Sequence, residues 1–476
     1  MKKNLLYIMS GTLLLSSCHV YDNYQKSEAI PANLYRDTTA NYQALAADTV
    51  NFGTMPWQEM FTDPQLQQLI QTALERNSNL LIVDQNIRAA EAGLTAARLA
   101  YLPSAAFSPQ GTVSSFDWQQ AVKTYSFPVT ASWQVDANGS LRNAKKQAIA
   151  QVLQAKASKQ AARTSIIASV ANLYYSLQML DEQLRVTQET SEIWKKNYET
   201  MQYMQEAGLT TNAAVASAKA NYYQILASIP ALQKSIASAE NALSLLLREA
   251  PHAIARGKAF TAKFPEKLSA GVPLQLLSRR PDVKSAELAM ANAFYGVTGA
   301  YSKFYPSITL SGTLGFTNSG GAMIVNPGKM IASAVASLVQ PLFQRGQIKA
   351  NLEVAKANME ISQLQFENVL LQAGSEVSNY LMAYNTALRQ EEKRQLQVAE
   401  LESAAEKTML LFKNTNSTTY LETLTAESNL LNARLSLVND QYARIQAAIN
   451  LYTALGGGSE SYTEKEVKLY DAIIKK

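Results

Sequence analysis

The sequence predicts a mostly α-helical chain that also carries a few β-strands of the kind found in a membrane barrel wall. Three observations predict it. Two very long helical tracts contain no Pro, two short stretches alternate apolar with hydroxyl residues, and the whole pattern runs twice along the chain. Hydrophobic residues make up 47% of the 476 positions and charged residues 17%, the balance of a folded chain. Lys+Arg 43 against Asp+Glu 38 leaves +5, too small a bias to predict nucleic-acid binding. Two His and one Cys supply almost no material for a metal site, a thiol nucleophile or an intrachain disulfide. No Gly-rich phosphate loop or paired His motif appears, and the acids scatter along helix faces, so neither an enzyme nor any catalytic residue is expected.

In chain order, Lys2 and Lys3 precede an apolar run from Leu5 to Leu15 that is too short to span a bilayer as a helix. A charged start, a short apolar stretch and small residues make a secretory signal, residues 1–17. Leu15-Ser16-Ser17-Cys18 then resembles a bacterial lipobox, which implies that Cys18 carries a covalent lipid, N-palmitoyl and S-diacylglycerol, and becomes the mature N-terminus. The plainer alternative is an ordinary signal peptide with a stray cysteine. His19 follows where an Asp favours inner-membrane retention in lipoproteins of enteric type, which points to the outer membrane.

The mature chain repeats itself. Ala100-Tyr101-Leu102-Pro103-Ser104 returns as Lys303-Phe304-Tyr305-Pro306-Ser307, 203 positions on, and Gly139-Ser140-Leu141-Arg142 returns as Gly346-Gln347-Ile348-Lys349, 207 positions on. Long helices are expected over about 140–206 and 346–413, each about 100 Å at 1.5 Å per residue. They break near Gly208-Leu209-Thr210-Thr211 and near Asn416-Ser417-Thr418-Thr419, 208 positions apart. A second helix follows each break, as at 212–248. Apolar positions step four and three: Ile166, Val170, Leu173, Leu177; Ile225, Ile229, Leu232, Ile236; Leu431, Leu435, Val438, Tyr442, Ile445. That spacing holds a seam against a partner helix. A purely structural coiled coil is the alternative.

Between Pro103 and Asp136 the period becomes two. Tyr125, Phe127, Val129, Ala131, Trp133 and Val135 alternate with Thr124, Ser126, Pro128, Thr130, Ser132 and Gln134; Ile308, Leu310, Gly312, Leu314 and Phe316 alternate with Ser307, Thr309, Ser311, Thr313 and Gly315. Strands with one apolar and one uncharged polar face suit a barrel with lipid outside and water inside. Two more strands are expected at about 104–116 and 331–343, and Pro128 should make one strand locally irregular because it cannot donate to the ladder. Four strands cannot close a barrel, so several chains would have to share one. A small soluble sandwich edge is the alternative from periodicity alone.

Several stretches together resemble the outer-membrane efflux protein family, the TolC-like channels, and especially its lipoprotein branch. They are Trp57, Phe61, Asp63, Pro64 and Leu66; Leu276-Leu277-Ser278-Arg279-Arg280-Pro281-Asp282-Val283; Phe304-Tyr305-Pro306; Pro341-Leu342-Phe343 with Gly346; and Leu451-Tyr452 with Ala454-Leu455-Gly456-Gly457-Gly458. The resemblance covers about 18–460. It implies a homotrimer whose four strands per chain form one twelve-stranded outer-membrane barrel on a long periplasmic α-helical barrel, each long helix being matched by two shorter ones end to end. Helices at about 64–100 and 281–303 would supply the missing halves.

The implied organisation is an anchor and equatorial segment at 18–62, a first repeat at 63–250 with strands about 103–136, and an equatorial linker at 251–275. A second repeat follows at 276–458 with strands about 305–343, then an equatorial tail at 459–476. Pro281 suits a first helical turn and Asp282 the positive helix N-terminus, while Gly139 and Gly346 relieve the backbone where strand becomes helix. With Arg280 these read as folding positions.

The implied function is a passive exit duct of a tripartite pump, in the outer membrane of a Gram-negative bacterium. It would take drugs or other small molecules from an inner-membrane RND-type transporter through a periplasmic adaptor. Asn416, Ser417, Thr418 and Thr419 become candidates for the periplasmic gate, although the same cluster is also good turn chemistry. The family often carries an acidic ring near Thr418 or Thr419; here the nearest carboxylate is Glu422, one turn away. Gly208 and Leu209 become candidates for adaptor docking, and Trp118, Tyr125, Trp133 and Phe316 for interfacial girdles. Two rivals remain at this point: the channel of a type I protein secretion system, and a lipoprotein that bridges the periplasm without transport.

Overall fold

The computed structural model describes residues 23–25, 55–115, 117–257, 280–320, 323–415, 418–458 and 463–475. Cys18 and the signal segment therefore lie outside the described residues, as do Asn416, Ser417 and most of the expected equatorial stretches at 18–62 and 251–275. No described helix is long and apolar enough to cross a membrane.

Four helix rows run side by side. Helix α4 (Ser140–Glu206) and helix α7 (Gln347–Asn414) have 67 and 68 residues, about 100 Å each. The other two rows are each two helices end to end: α3 (Ser78–Leu99) with α5 (Asn212–Leu247), and α6 (Pro281–Ser302) with α8 (Tyr420–Ala454). Helix α4 packs against α3, α5, α6 and α8, and α7 packs against α6 and α8. The helix expected over 64–100 is divided. Asn77 ends α2 (Pro64–Arg76) and starts α3, its Oδ1 accepting from the Asn79 amide at 2.9 Å. A four-residue helix α1 (Trp57–Met60) leads in.

The expected seams are where the packing is. On α5 the stripe Ile225, Ile229, Leu232, Ile236, Ala239 and Leu243 is covered while its flanks are exposed. On α4 the stripe residues Ile166, Val170 and Leu177 are buried. The two partners of α8 hold it by different chemistry. Toward α7 it is zipped by ion pairs, Arg394–Asp440 at 3.0 Å, Arg434–Glu402 at 2.6 Å and Arg444–Glu391 at 2.8 Å. Toward α4 it is held by amides, Asn172–Asn450 at 3.4 Å, Gln183–Asn439 at 2.9 Å and Asn197 on Glu427.

At one end of the rows stands a single antiparallel sheet. Strand β4 (Val122–Val135) pairs with β5 (Ser307–Gly320), and β5 with β6 (Met323–Val339). On the other side of β4 lie two short strands, β2 (Ser104–Phe107) and β3 (Gln110–Ser114). The strand expected at 104–116 is thus in two pieces, and the irregularity expected in Pro128's own strand falls opposite it instead. β4 runs unbroken, while the break at 108–109 faces Phe127 and Pro128, where the ring offers no donor. The strand expected at 331–343 is corrected to Met323–Val339, with Pro341, Leu342 and Phe343 beyond its end. Its alternation is diluted by Ala332, Ala334 and Ala336, which is why periodicity misplaced it.

Residues near the two termini meet. Strand β1 (Tyr24–Gln25) pairs in parallel with β7 (Ile474–Lys475), after helix α9 (Glu464–Asp471) has crossed α4 through a Glu466–Lys156 ion pair at 3.0 Å.

Candidate functional site

The sheet has two unlike faces. Register places Val135, Ile308 and Leu338 in one cross-strand row, then Trp133, Leu310 and Ala336, then Ala131, Gly312 and Ala334, then Val129, Leu314 and Ala332, then Phe127, Phe316 and Met330. Every one of these positions is apolar. The opposite face carries Gln134, Thr309 and Ser337, then Ser132 and Ser311 with Val335, then Thr130, Thr313 and Ser333. Phe316, Leu314 and Phe127 are about half exposed, which a face solvated by water would not favour but one solvated by lipid would. Tyr125, Trp133 and Phe316 lie on this apolar face, and the Trp133 indole donates to the Tyr101 carbonyl at 2.9 Å. Trp118 stands fully exposed in the loop before β4, where it and Asp117 both take positive φ.

Strand passes into helix at two glycines. Gly139 has φ +70° and Gly346 φ +80°, and each carbonyl accepts the first helical bond, from Asn143 and Ala350. Left-handed backbone strains any residue with a Cβ. Asp136 adds a cap the second half lacks, its two oxygens accepting from the Leu141 and Arg142 amides at 2.8 and 2.9 Å.

Where α8 ends and α6 begins, Arg280 joins the two. It is 7% exposed; its guanidinium donates to the Ala454 carbonyl at 3.1 Å and pairs with Asp282 and Glu376, both at 2.7 Å. A cation thus answers the negative end of α8, and Pro281 and Asp282 open α6. Burial pushes the Asp282 carboxyl up, but the Arg280 hydrogen bond and charge outweigh it and hold it below the usual range. In the other repeat the same junction is made by Asn77, whose amide donates to the Leu246 carbonyl at 2.9 Å. A cavity of about 470 Å³ with mixed polar and apolar walls opens beside Arg280 between α4 and α7.

The far tips of the rows hold the remaining candidates. Gly208 ends α4 at φ +72°, its amide donating to Gln205 and the Leu209 amide to Met204, which is the αL termination glycine favours. Leu209 is 72% exposed. Thr211 caps α5. At the other tip Thr419 caps α8 in a reciprocal box: its hydroxyl accepts from the Glu422 amide at 3.3 Å and Glu422 accepts from the Thr419 amide at 3.0 Å. The Thr418 hydroxyl also donates to Glu422. These hydrogen bonds, Thr418's first, hold the exposed Glu422 carboxyl below its ordinary value.

The structure therefore brings Thr418 and Thr419 onto one carboxylate. The Thr-x-x-Glu spacing, legible in the sequence as a capping box, is the signal that would have found it. Deeper in, Glu427 is a group the sequence did not flag. Asn197 Nδ2 lies 2.8 and 2.7 Å from its two oxygens, and burial pushes its carboxyl up against the pull of Asn197 and Lys413.

A sequence model of the family described as "Outer membrane efflux protein" matches residues 69–247 and 272–457. The chain is similar to the probable efflux pump outer membrane protein TtgC of Pseudomonas putida, 27% identical over 470 residues that cover 96% of each chain. It is also similar to the probable outer membrane lipoprotein SilC of Salmonella typhimurium, 25% identical with 96% of this chain and 99% of the relative covered. Among solved structures, that of CusC, reported for changes accompanying folding and transmembrane channel formation, superposes with a TM-score of 0.82 at 25% identity, covering 92% of this chain and 99% of the other.

Proposed function

The chain belongs to the outer membrane efflux protein family, and from that premise we propose that it works as a trimeric, acylated exit duct. In this reading an inner-membrane RND-type pump hands small molecules to a periplasmic adaptor, and the adaptor to this outer-membrane channel. The observation that carries the reading is the sheet: one face apolar through five cross-strand rows, the other hydroxyl-rich, and both outer edges without a partner strand among the described residues. An open edge is not tolerated in hydrocarbon, and three chains of four strand widths close a barrel of twelve. An exposed apolar stripe on α7, at Val354, Ile361, Leu364 and Leu371, gives a neighbouring chain a seam to pack on.

Within this reading Cys18 carries the lipid, Asn416, Ser417, Thr418 and Thr419 narrow the periplasmic entry, and Gly208 with the exposed Leu209 faces the adaptor. The channel does no bond chemistry; the hydroxyl face supplies a wet wall whose one charge in these rows is Lys329, beside Thr317 and Ser126. The native mass of the detergent-extracted protein tests the proposal. Three mature chains are expected, with restored drug tolerance when the gene complements a strain lacking its own exit duct. A monomer after gentle extraction would sink the shared barrel.

A further inference from the structure

We propose that the helix-side end of the apolar β4–β5 face is the docking site for the acyl chains of the protein's own lipid anchor. The proposal rests on acylation of Cys18. The chain is firmly pinned just after that residue. Asn23 Oδ1 accepts from Lys146 Nζ at 2.5 Å; Lys146 is 7% exposed and sits 4.7 Å from the centre of the Tyr295 ring. Tyr24 is 2% exposed, packs edge-on to Phe294 at 5.8 Å, and donates its amide to the Tyr295 hydroxyl at 3.3 Å. That hydroxyl in turn donates to the Ile473 carbonyl beside β7.

The pin has a fixed height. Lys146 lies six residues into α4 and Tyr295 seven residues before the end of α6, about 10 Å below the strand–helix junction at 1.5 Å per residue. The junction itself is marked by Asn138 donating to the Ser302 carbonyl at 3.3 Å. Cys18 precedes Asn23 by five residues, a reach of about 18 Å at full extension. Its Cα can therefore rise no more than about 8 Å past the junction, two or three strand residues.

Helix α4 descends from β4 and α6 ascends into β5, so the pin stands under those two strands. The row within reach of its Cα is Val135–Ile308, with Trp133–Leu310 and Val129–Leu314 above it for the rising chains. Lipid tails have no hydrophobic preference for one apolar surface over another. The selection comes from the tether, which holds one set of acyl chains at one place at high effective concentration.

The test is metabolic labelling with a palmitate analogue that carries a carboxyl-proximal diazirine and an alkyne, followed by irradiation of the full-length protein in its membrane and peptide mapping. Crosslinks are expected several-fold more often on the β4 and β5 peptides than on β6. Tyr24→Ala, and separately removal of residues 472–476, should erase that excess while leaving label incorporation and trimer yield intact. Label present on the N-terminal peptide with crosslinks spread evenly over β4, β5 and β6 would overturn the docking site alone. Absence of label on Cys18 would remove the acylation and the proposal with it.

Discussion

Gly315 shows how little freedom a single position can have. A Cβ built there would meet the Phe127 carbonyl and lie 2.6 Å from the Pro128 Cα, backbone that cannot step aside. Gly315→Val should therefore cost about 1–3 kcal/mol of overpacking and lower the heat-resistant fraction of the assembled protein on gels; an unchanged fraction would show that the sheet yields there. Glu427 makes a prediction with a sign. Burial raises its carboxyl in the fold, so the fold favours the protonated form more than the unfolded chain does. The stability this lends is complete below the ordinary carboxylate range and is lost as pH rises through the raised value. Melting midpoints should fall as pH rises above the ordinary carboxylate range, and Glu427→Gln should melt higher than wild type there, with a flatter profile. A wild-type–variant difference independent of pH would contradict this. Neither residue stood out in the sequence: Gly315 looked like one more alternating position, and Glu427 like one more acid on a helix face, because what singles them out is a neighbour far along the chain.

Arg280 is the feature that joins elements. Arg280→Ala removes a guanidinium bonded to the end of α8 and to two carboxylates, and since both acids are about half exposed the expected loss is about 2 kcal/mol. Arg280→Lys keeps the charge without the planar fork and should fall between. Hydrogen exchange at 451–454 and 282–285 reads the junction directly, and equal protection in all three proteins would deny Arg280 that role. The helices themselves were legible, since heptad seams, glycine stops and capping residues all point to the same bounds. Strands were legible only where large apolar residues alternate. β6, with alanine in its apolar rows, slipped toward Pro341, and Asn77 divided a helix because it caps in both directions, a property its residue type permits but does not announce.

For the whole molecule, the tip geometry predicts a conductance effect. Thr418 and Thr419 share Glu422 beside the expected constriction, so Thr418→Lys and Thr418→Trp should change the resting single-channel current. An unchanged current in both would remove Thr418 from the gate. The duplicated architecture was readable from offsets near 205 residues, because each repeat must make the same strand-to-helix passage and uses the same glycine to do it. The clasp between β1 and β7 was not readable: two residues at 24–25 and two at 474–475 carry no periodicity of their own.

That clasp bears on the order of events in synthesis. The partners of Tyr24 and Gln25 are Ile474 and Lys475, 450 positions later, so the first folded-state strand must wait for all the intervening chain before it can pair. Local helices can form during that wait, whereas closing so long a loop comes late and slowly. A chain ending just before Ile474 could still seat Tyr24 against Phe294 and Tyr295 yet would leave β1 without its partner strand, so that pairing reports the arrival of the last residues.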